Sequence, residues 1–430
     1  MKILILGSGG REHALCFRLG QDPQVTEVLV YPGNPGMSGT PKTKVCDGEV
    51  TLSGLLKLIK LNQIDLVVIG PEKYLFEGYV DELKAAGIPV FGPTREASFL
   101  EESKIKSKNF MKEFGIPTSS FETATSLDEL ISKINDHPLW AGYVLKLSGP
   151  ALGKGVIVTR NASEATDAAR QFFLHRPLGI EEGIVLEEKV RGREVSLFYI
   201  CDGENYRFLA SACDHKKLKN NDEGPNTGGM GAYSPCTWID SNFLNRVEQE
   251  VLIPSLKGMS KRGAPFTGIL FLGLMVQGNQ YYLLEYNTRL GDPETQAFLP
   301  IFNGNLTEIL YAASIGKLAE LTPQDFSTHD PKFALHVVKA AKGYPGIFGE
   351  EIEAGKLVSV SEKLKTLKNT HLFCAGLKEN GKTWVTNGGR VLGITGVGNT
   401  LLEARDNAYL HLNLATFSGE QFRTDIGDGA

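Results

Sequence analysis

Five short segments of this 430-residue chain combine residue types and spacings that can do chemistry. The richest is Glu285–Tyr286–Asn287–Thr288–Arg289–Leu290–Gly291–Asp292–Pro293–Glu294, at the end of an apolar run. Alternation along a strand puts Glu285, Asn287 and Arg289 on one face. Oxygen donors at that spacing suit magnesium, which takes few protein ligands and keeps phosphate and water for the rest. Arg289 offers a planar fork to a carboxylate or phosphate. The plain alternative is a structural ion-paired trio.

A second segment runs from Lys146 through Leu147–Ser148–Gly149–Pro150–Ala151–Leu152–Gly153–Lys154 to Gly155. It is not a Walker A loop, because glycine rather than Ser or Thr follows Lys154. One lysine on a strand and one on a glycine-rich tip suit β- and γ-phosphates, which need point positive charge. An ordinary hairpin with solvated lysines would read the same. The third segment, Gly7–Ser8–Gly9–Gly10–Arg11–Glu12–His13, follows a strand and opens a helix. It fails the dinucleotide fingerprint: Glu12 stands at the third glycine, and no acid ends the second strand. Its N–H groups remain suited to a single phosphate at a helix N-terminus.

In the fourth segment, Leu186–Glu187–Glu188–Lys189–Val190, a strand end can present backbone groups to an adenine edge, and Glu194 can accept from ribose hydroxyls. The fifth joins Asp214–His215–Lys216–Lys217 to Gly224–Pro225–Asn226–Thr227–Gly228–Gly229–Met230–Gly231–Ala232–Tyr233. So many glycines argue against regular helix or strand, and long glycine-rich loops in compact domains are usually functional.

Regular elements must hold these segments. Over the first hundred residues, buried-strand runs (Ile3–Leu6, Val28–Tyr31, Asp65–Ile69, Pro89–Phe91) alternate with helical stretches, as in an open parallel sheet. A helix from Lys104 to Phe114 follows; then Ser126 and Glu129 form a capping-box pattern. Hairpin strands 143–147 and 156–159, a helix and the strand 184–187 complete a small α+β module. Beyond residue 190 strands dominate, and after residue 329 a β-rich segment with one helix reads as a small further domain. The fold class is thus multidomain α/β and α+β. Its expected divisions are 1–102, a substrate-binding α/β domain; 103–189, a lid region with connecting helix; 190–328, a central domain; and 329–430.

Bulk properties exclude several classes. With 45 basic and 50 acidic residues the net charge is −5, which argues against a dedicated nucleic-acid binder. Six scattered cysteines without a C-x-x-C pair suggest neither a zinc cluster nor a disulfide framework, and read as neutral thiols in a reducing cytoplasm. No apolar run is long enough for a membrane span.

Taken together, GSGGREHA, GPE (70–72), FGPT (91–94), LGKGVIV (152–158), DHKK (214–217), GPNTGGMGAYSP (224–235), NTRLGDPETQ (287–296) and TNGGRVL (386–392) closely resemble the phosphoribosylamine–glycine ligases of the ATP-grasp superfamily. The resemblance spans essentially the whole chain. It implies an N-terminal sheet domain, an ATP-grasp lid and central domain, and a C-terminal domain, with ATP and Mg2+ or Mn2+ as cofactors. It also implies ATP-binding roles for Lys104, Lys146, Gly153, Lys154, Gly155, Glu187, Glu188, Val190 and Glu194, and metal ligation by Glu285 and Asn287. Gly9, Gly10, Arg11, Glu72, Asp214, Lys216, Asn226, Thr227, Gly228, Arg289 and Asp292 would bind glycine or phosphoribosylamine, with Arg289, Lys154 and Asp214 closest to the chemistry. The short N-terminal apolar run and the lack of a span point to a cytoplasmic protein with no nucleic-acid or membrane partner, and a monomer is expected over an oligomer. The sequence departs from the family's usual pattern at Lys73–Tyr74–Leu75 and at Ser148–Gly149–Pro150. Rival readings are another carboxylate–amine ligase of the superfamily, a nicotinamide-dependent oxidoreductase, and a non-catalytic nucleotide-binding regulator.

Overall fold

Ile3–Leu6, Val28–Val30 and Leu66–Val68 are almost fully buried on both faces, as parallel strands covered by helices must be. In the computed structural model, which describes residues 1–149, 155–175, 177, 179–326, 332–346 and 350–429, these runs form a five-stranded parallel sheet. Its order is Thr43–Val45, Glu27–Pro32, Lys2–Gly7, Leu66–Ile69, Val90–Phe91. The chain first builds outward on one side of Lys2–Gly7 and then returns to build on the other. The crevice of such a sheet opens beyond the carboxyl ends of the two strands where the order reverses, here after Gly7 and Ile69.

The second unit is an antiparallel sheet of four strands, in the order Phe121–Ala124, Ile184–Glu188, Tyr143–Leu147, Val156–Thr159. Helices Leu127–Asp136 and Ala162–His175 bury Leu130, Ile134, Ala165, Ala169 and Phe172 against it. Ser126 caps the first helix as its spacing suggests, but the Glu129 carboxylate takes the N–H of Thr125, one residue earlier than a reciprocal capping box requires.

The largest sheet has eight strands, all paired antiparallel: Gln280–Asn287, Thr267–Gln277, Arg193–Asp202, Tyr206–Asp214, Gly231–Ser234, Phe333–Ala340, Arg390–Gly398 and Thr370–Cys374. The last hundred residues therefore extend the central sheet, and a further four-stranded sheet (Leu377–Asn380, Thr383–Thr386, Leu357–Val360, Ala415–Phe417) packs beside it. The glycine-rich segment was expected to be irregular, yet it contains two short strands, Glu223–Asn226 and Gly231–Ser234. Gly231 makes the join possible: a Cβ there would lie 2.6 Å from the His336 carbonyl oxygen.

Cys213 and Cys236 form a disulfide, where the sequence suggested only free thiols. The pairing of Tyr206–Asp214 with Gly231–Ser234 brings them together, and a separation of 23 residues gives no local signal of it. No described helix is long and apolar enough to cross a membrane.

Candidate active site

The strand Gln280–Asn287 carries an extra residue, because Leu283 pairs with Leu274 while Glu285 pairs with Gly273. Such a bulge re-aims side chains at a strand end. It turns Tyr286 into the core, where its hydroxyl meets Ser255 Oγ at 2.5 Å, and leaves Glu285 facing a cleft. Burial alone would raise the Glu285 pKa, but the charges of Lys216, Lys146 and Lys104 overcome it and hold the carboxyl at about 2. Lys216 Nζ lies 3.5 Å from Glu285 Oε1 and 3.2 Å from Glu194 Oε2, with 32% of its side chain open to the cleft. A helix, a strand and a connecting segment thus each place a lysine against one strand-end carboxylate.

Lys146 sits on the strand Tyr143–Leu147 and donates to the Leu284 carbonyl at 3.1 Å. Its Nζ is also 2.8 Å from Glu187 Oε1. The Glu187 side chain is therefore a buried counter-ion, and only its backbone remains for the adenine role the sequence suggested. The strand ends at Glu188, and the N–H groups of Glu188 and Lys189 donate to Ser120 and Gly142, which leads the chain to Val190. Lys104 opens the helix Lys104–Glu113, whose cap Ser103 contacts Ser148 Oγ at 3.2 Å. Ser148 also donates to Glu182 and accepts from the Ile105 N–H, which gives this departure from the usual pattern a local bonding role.

Arg289 ties two domains together. Its Nη2 lies 2.9 Å from Glu101 Oε1 and 3.2 Å from Asn287 Oδ1, and its Nε is 3.4 Å from Glu72 Oε2. Glu101 is fixed in turn by the N–H and hydroxyl of Thr288. Burial raises the Glu101 pKa and Arg289 opposes it; at Glu72 the opposing charges of Arg289 and Arg11 prevail and the pKa falls.

The first glycine loop is closed by its own chain. Glu12 Oε2 accepts from the Gly9 N–H at 2.6 Å, and Oε1 lies 2.6 Å from Arg11 Nε. Gly7 and Gly70 leave room for this carboxylate, since a Cβ on either would lie within 2.6 Å of Glu12 atoms. Arg11 also donates to the Leu290 carbonyl at 2.9 Å. An anion at this loop has the Gly10 side of the helix terminus and the rest of the Arg11 guanidinium to bind, not the Gly9 N–H. Gly10 itself packs on Gln296, whose Nε2 a Cβ would approach to 2.4 Å.

Asp214 ends its strand with Oδ1 buried and unpartnered among the described residues. Burial, then the neighbouring Glu294, pushes its carboxyl well above the ordinary range, against the pull of Lys216. Close by, Arg390 Nη1 donates to the carbonyls of Gly228 and Asp292, both at 2.6 Å. Tyr344 Oη accepts from the Gly228 N–H at 2.9 Å, and Thr227 bonds back to the Lys216 carbonyl. Asp292 is held at about 2: burial raises it, and Arg390 and Arg11 more than reverse this.

The structure thus brings Lys104, Lys146, Glu194, Lys216, Glu285 and Asn287 around one cleft, with Asp214, Gly228, Arg289 and Asp292 continuing it. Gly155 meets the end of the strand Tyr143–Leu147, where its carbonyl accepts the Leu147 N–H. Gly153 and Lys154 lie outside the described residues. Glu12, Glu101, Lys108, Glu294, Tyr344 and Arg390 also shape the site, although their sequence context assigned them no role there. Glu294 and Arg390 stand inside quoted motifs, whereas Glu101 and Lys108 sit on helical stretches with no local sign of their long-range partners.

Glu285 and Asn287 fit a divalent cation: they are hard oxygen donors on one strand face, one kept ionised by its surroundings, and nucleotide phosphates would supply further ligands. Among the described residues no cluster of three His, Cys, Asp or Glu suggests a protein-only metal site.

Known proteins share this architecture. Residues 1–101, 102–295 and 334–429 match the N, ATP-grasp (A) and C domains of phosphoribosylglycinamide synthetase. A phosphoribosylamine–glycine ligase of Chlorobaculum tepidum is 39% identical over 431 residues, covering 99% of both chains. The trifunctional purine biosynthetic protein adenosine-3 of Chironomus tentans is 40% identical over 437 residues, and the chain spans 31% of that protein's length. The crystal structure of phosphoribosylamine–glycine ligase from Thermotoga maritima superposes with a TM-score of 0.83 at 32% identity, over 99% of this chain and 100% of that one. With its domains matched in order and its whole length aligned to such relatives, the chain belongs to the phosphoribosylglycinamide synthetase family.

Proposed function

We propose that the chain joins the carboxylate of glycine to the amine of 5-phosphoribosylamine at the expense of ATP, giving glycinamide ribonucleotide, ADP and phosphate, in purine biosynthesis. The observation that carries this reading is the ring of Lys104, Lys146 and Lys216 about an ionised Glu285, beside a second cluster at Arg289, Asp214 and Asp292. Cations suit a triphosphate; the mixed acids and arginines beyond suit an amino acid and an amine.

A carboxylate does not condense with an amine in neutral water, because its oxygen is too poor a leaving group. In the proposed sequence a glycine carboxylate oxygen attacks the γ-phosphorus; the bond from that phosphorus to the bridging oxygen breaks, and ADP leaves. The phosphoribosylamine nitrogen then attacks the acyl carbon of glycyl phosphate, loses a proton, and expels phosphate as the amide forms. The protein supplies alignment, positive charge where phosphate charge develops, and shelter from water.

In this reading ATP lies between the 103–189 lid region and the 190–328 central domain. Lys104, Lys146, Gly153, Lys154 and Gly155 attend its phosphates, the Glu187–Val190 backbone its adenine and Glu194 its ribose. Glu285 and Asn287 would hold Mg2+ or Mn2+, which shields phosphate charge when bound. Asp214, Lys216 and Arg289 would serve glycine. Gly10, Arg11, Glu72, Asn226, Thr227, Gly228 and Asp292 would serve phosphoribosylamine, with Gly9 acting through Glu12 rather than by its own N–H. A cytoplasmic monomer is the simplest setting for it.

Product analysis with ATP, magnesium, glycine and freshly generated phosphoribosylamine tests the proposal. ADP, phosphate and glycinamide ribonucleotide should form in equal amounts. AMP and pyrophosphate would replace the acyl phosphate by an adenylate, and no amide product would reject the reading altogether.

A further inference from the structure

Two buried lysines share one buried carboxylate next to the cleft. Lys108 lies one helical turn after Lys104, and its Nζ is 3.0 Å from Glu187 Oε2 and 2.6 Å from Thr118 Oγ1. Ser119 Oγ donates to the same Oε2 at 2.7 Å, while the Lys146 ammonium pairs electrostatically with Oε1 at 2.8 Å. Lys108 and Glu187 expose only 3% and 2% of their side chains. Thr118 passes the chain of bonds on to the Leu283 carbonyl at 2.7 Å, next to the Leu284 carbonyl that Lys146 uses.

A buried ammonium is costly, and burial lowers the Lys108 pKa to about 8 despite Glu187. If the only need were to orient Lys146, the Glu187–Lys146 pair would do, but that pair is neutral and would offer a triphosphate little. With Lys108 included, the trio carries one net positive charge.

We propose that Lys108 is a positioning residue that offsets the charge of Glu187, so that this carboxylate orients Lys146 without neutralising it toward the nucleotide. Lys108 touches no substrate; it acts through Glu187 on Lys146. Affinity for nucleotide then follows the net charge of the trio, and turnover follows the orientation of Lys146. The inference rests on the ATP reading of the cleft.

The test compares wild type, Lys108→Met and the double variant Lys108→Met/Glu187→Gln, by calorimetric titration with ATP and magnesium in the absence of glycine, with thermal unfolding and kcat alongside. Removing one nearby cation should weaken ATP binding in Lys108→Met roughly tenfold. The double variant restores the net charge, so its Kd should return to within about threefold of wild type, while its kcat stays roughly tenfold or more below, because Lys146 has lost its guide. Wild-type ATP affinity in Lys108→Met, with only a lower melting temperature, would overturn the proposal and leave Lys108 a packing residue. So would a double variant that binds ATP roughly tenfold more weakly than wild type. If Lys108→Met does not fold, the double variant, which buries no charge beyond Lys146, decides the matter by its Kd and kcat alone. Failure of wild type to bind ATP would instead reject the reading of the cleft.

Discussion

Arg390 Nη1 donates to the Asp292 carbonyl at 2.6 Å, joining residues 98 positions apart. The same nitrogen holds the Gly228 carbonyl, so a strand of the C-terminal part pins both loops that line the far end of the cleft. Arg390→Met keeps much of the bulk and removes these charged hydrogen bonds, costing about 2 kcal/mol in transition-state stabilisation. Steady-state kinetics should show higher KM for glycine or phosphoribosylamine and an unchanged Kd for ATP. A selective loss of ATP binding would place the arginine's influence elsewhere.

Glu285→Gln preserves shape and deletes the charge that faces three lysines. If Glu285 helps to hold a divalent cation, turnover falls by about 3–4 kcal/mol, a factor of hundreds or more. Titrating magnesium into the variant checks the cause: its activity should need much more metal, and a wild-type metal curve would refute the assignment.

Arg289→Lys keeps the charge and loses the fork. A lysine cannot reach Glu72, Glu101 and Asn287 together, so the N-terminal and central parts lose a shared fastener. The expected outcome is a loss of kcat/KM of about 2–3 kcal/mol, with a lower melting temperature as Glu101 is left partly unpaired. Kinetics equal to wild type would show that charge alone suffices.

Acid should weaken the fold through two buried histidines. His13 and His371 are held neutral, with pKa lowered by burial to about 4, and His13 Nδ1 must stay bare to accept the Cys374 N–H at 2.9 Å. In the unfolded chain each histidine binds its proton near pH 6.5, before the folded chain can. Their stabilisation is therefore full above that value and is lost as pH falls toward about 4, by about 3 kcal/mol for each. Asp292 has the same sign at lower pH, its contribution disappearing as pH falls from the ordinary carboxylate range toward about 2. Buried acids such as Asp214 release protons on unfolding, so the check is a difference: calorimetry at about pH 5 should record less proton uptake on unfolding for His371→Gln than for wild type, and equal uptake would contradict the assignment.

Much of the framework was legible from local pattern. The runs Ile3–Leu6, Val28–Tyr31 and Leu66–Ile69 are strands because they are short, apolar and closed by glycine or proline. Glu285 and Asn287 could be read as one strand face because that alternation is local too. What escaped depends on distance in sequence. Nothing near Glu101 announces that Thr288 and Arg289 will meet it, and nothing in Gly231–Ser234 names Phe333–Ala340 as its neighbour. Glu12 shows a subtler limit: the glycines before it implied an open anion cradle, but the same lack of Cβ atoms lets the helix's own acid fold back into it.

The eight-stranded sheet has a consequence for dissecting the protein. Cutting the chain before Lys332 would strip Phe333–Ala340 from Gly231–Ser234 and leave a row of bare amide and carbonyl groups along a buried strand. Such an edge invites pairing with another chain, so the shortened fragment should precipitate or self-associate instead of behaving as an independent module. Supplying residues 332–430 as a separate polypeptide should rescue it by strand complementation, as a non-covalent pair of fragments.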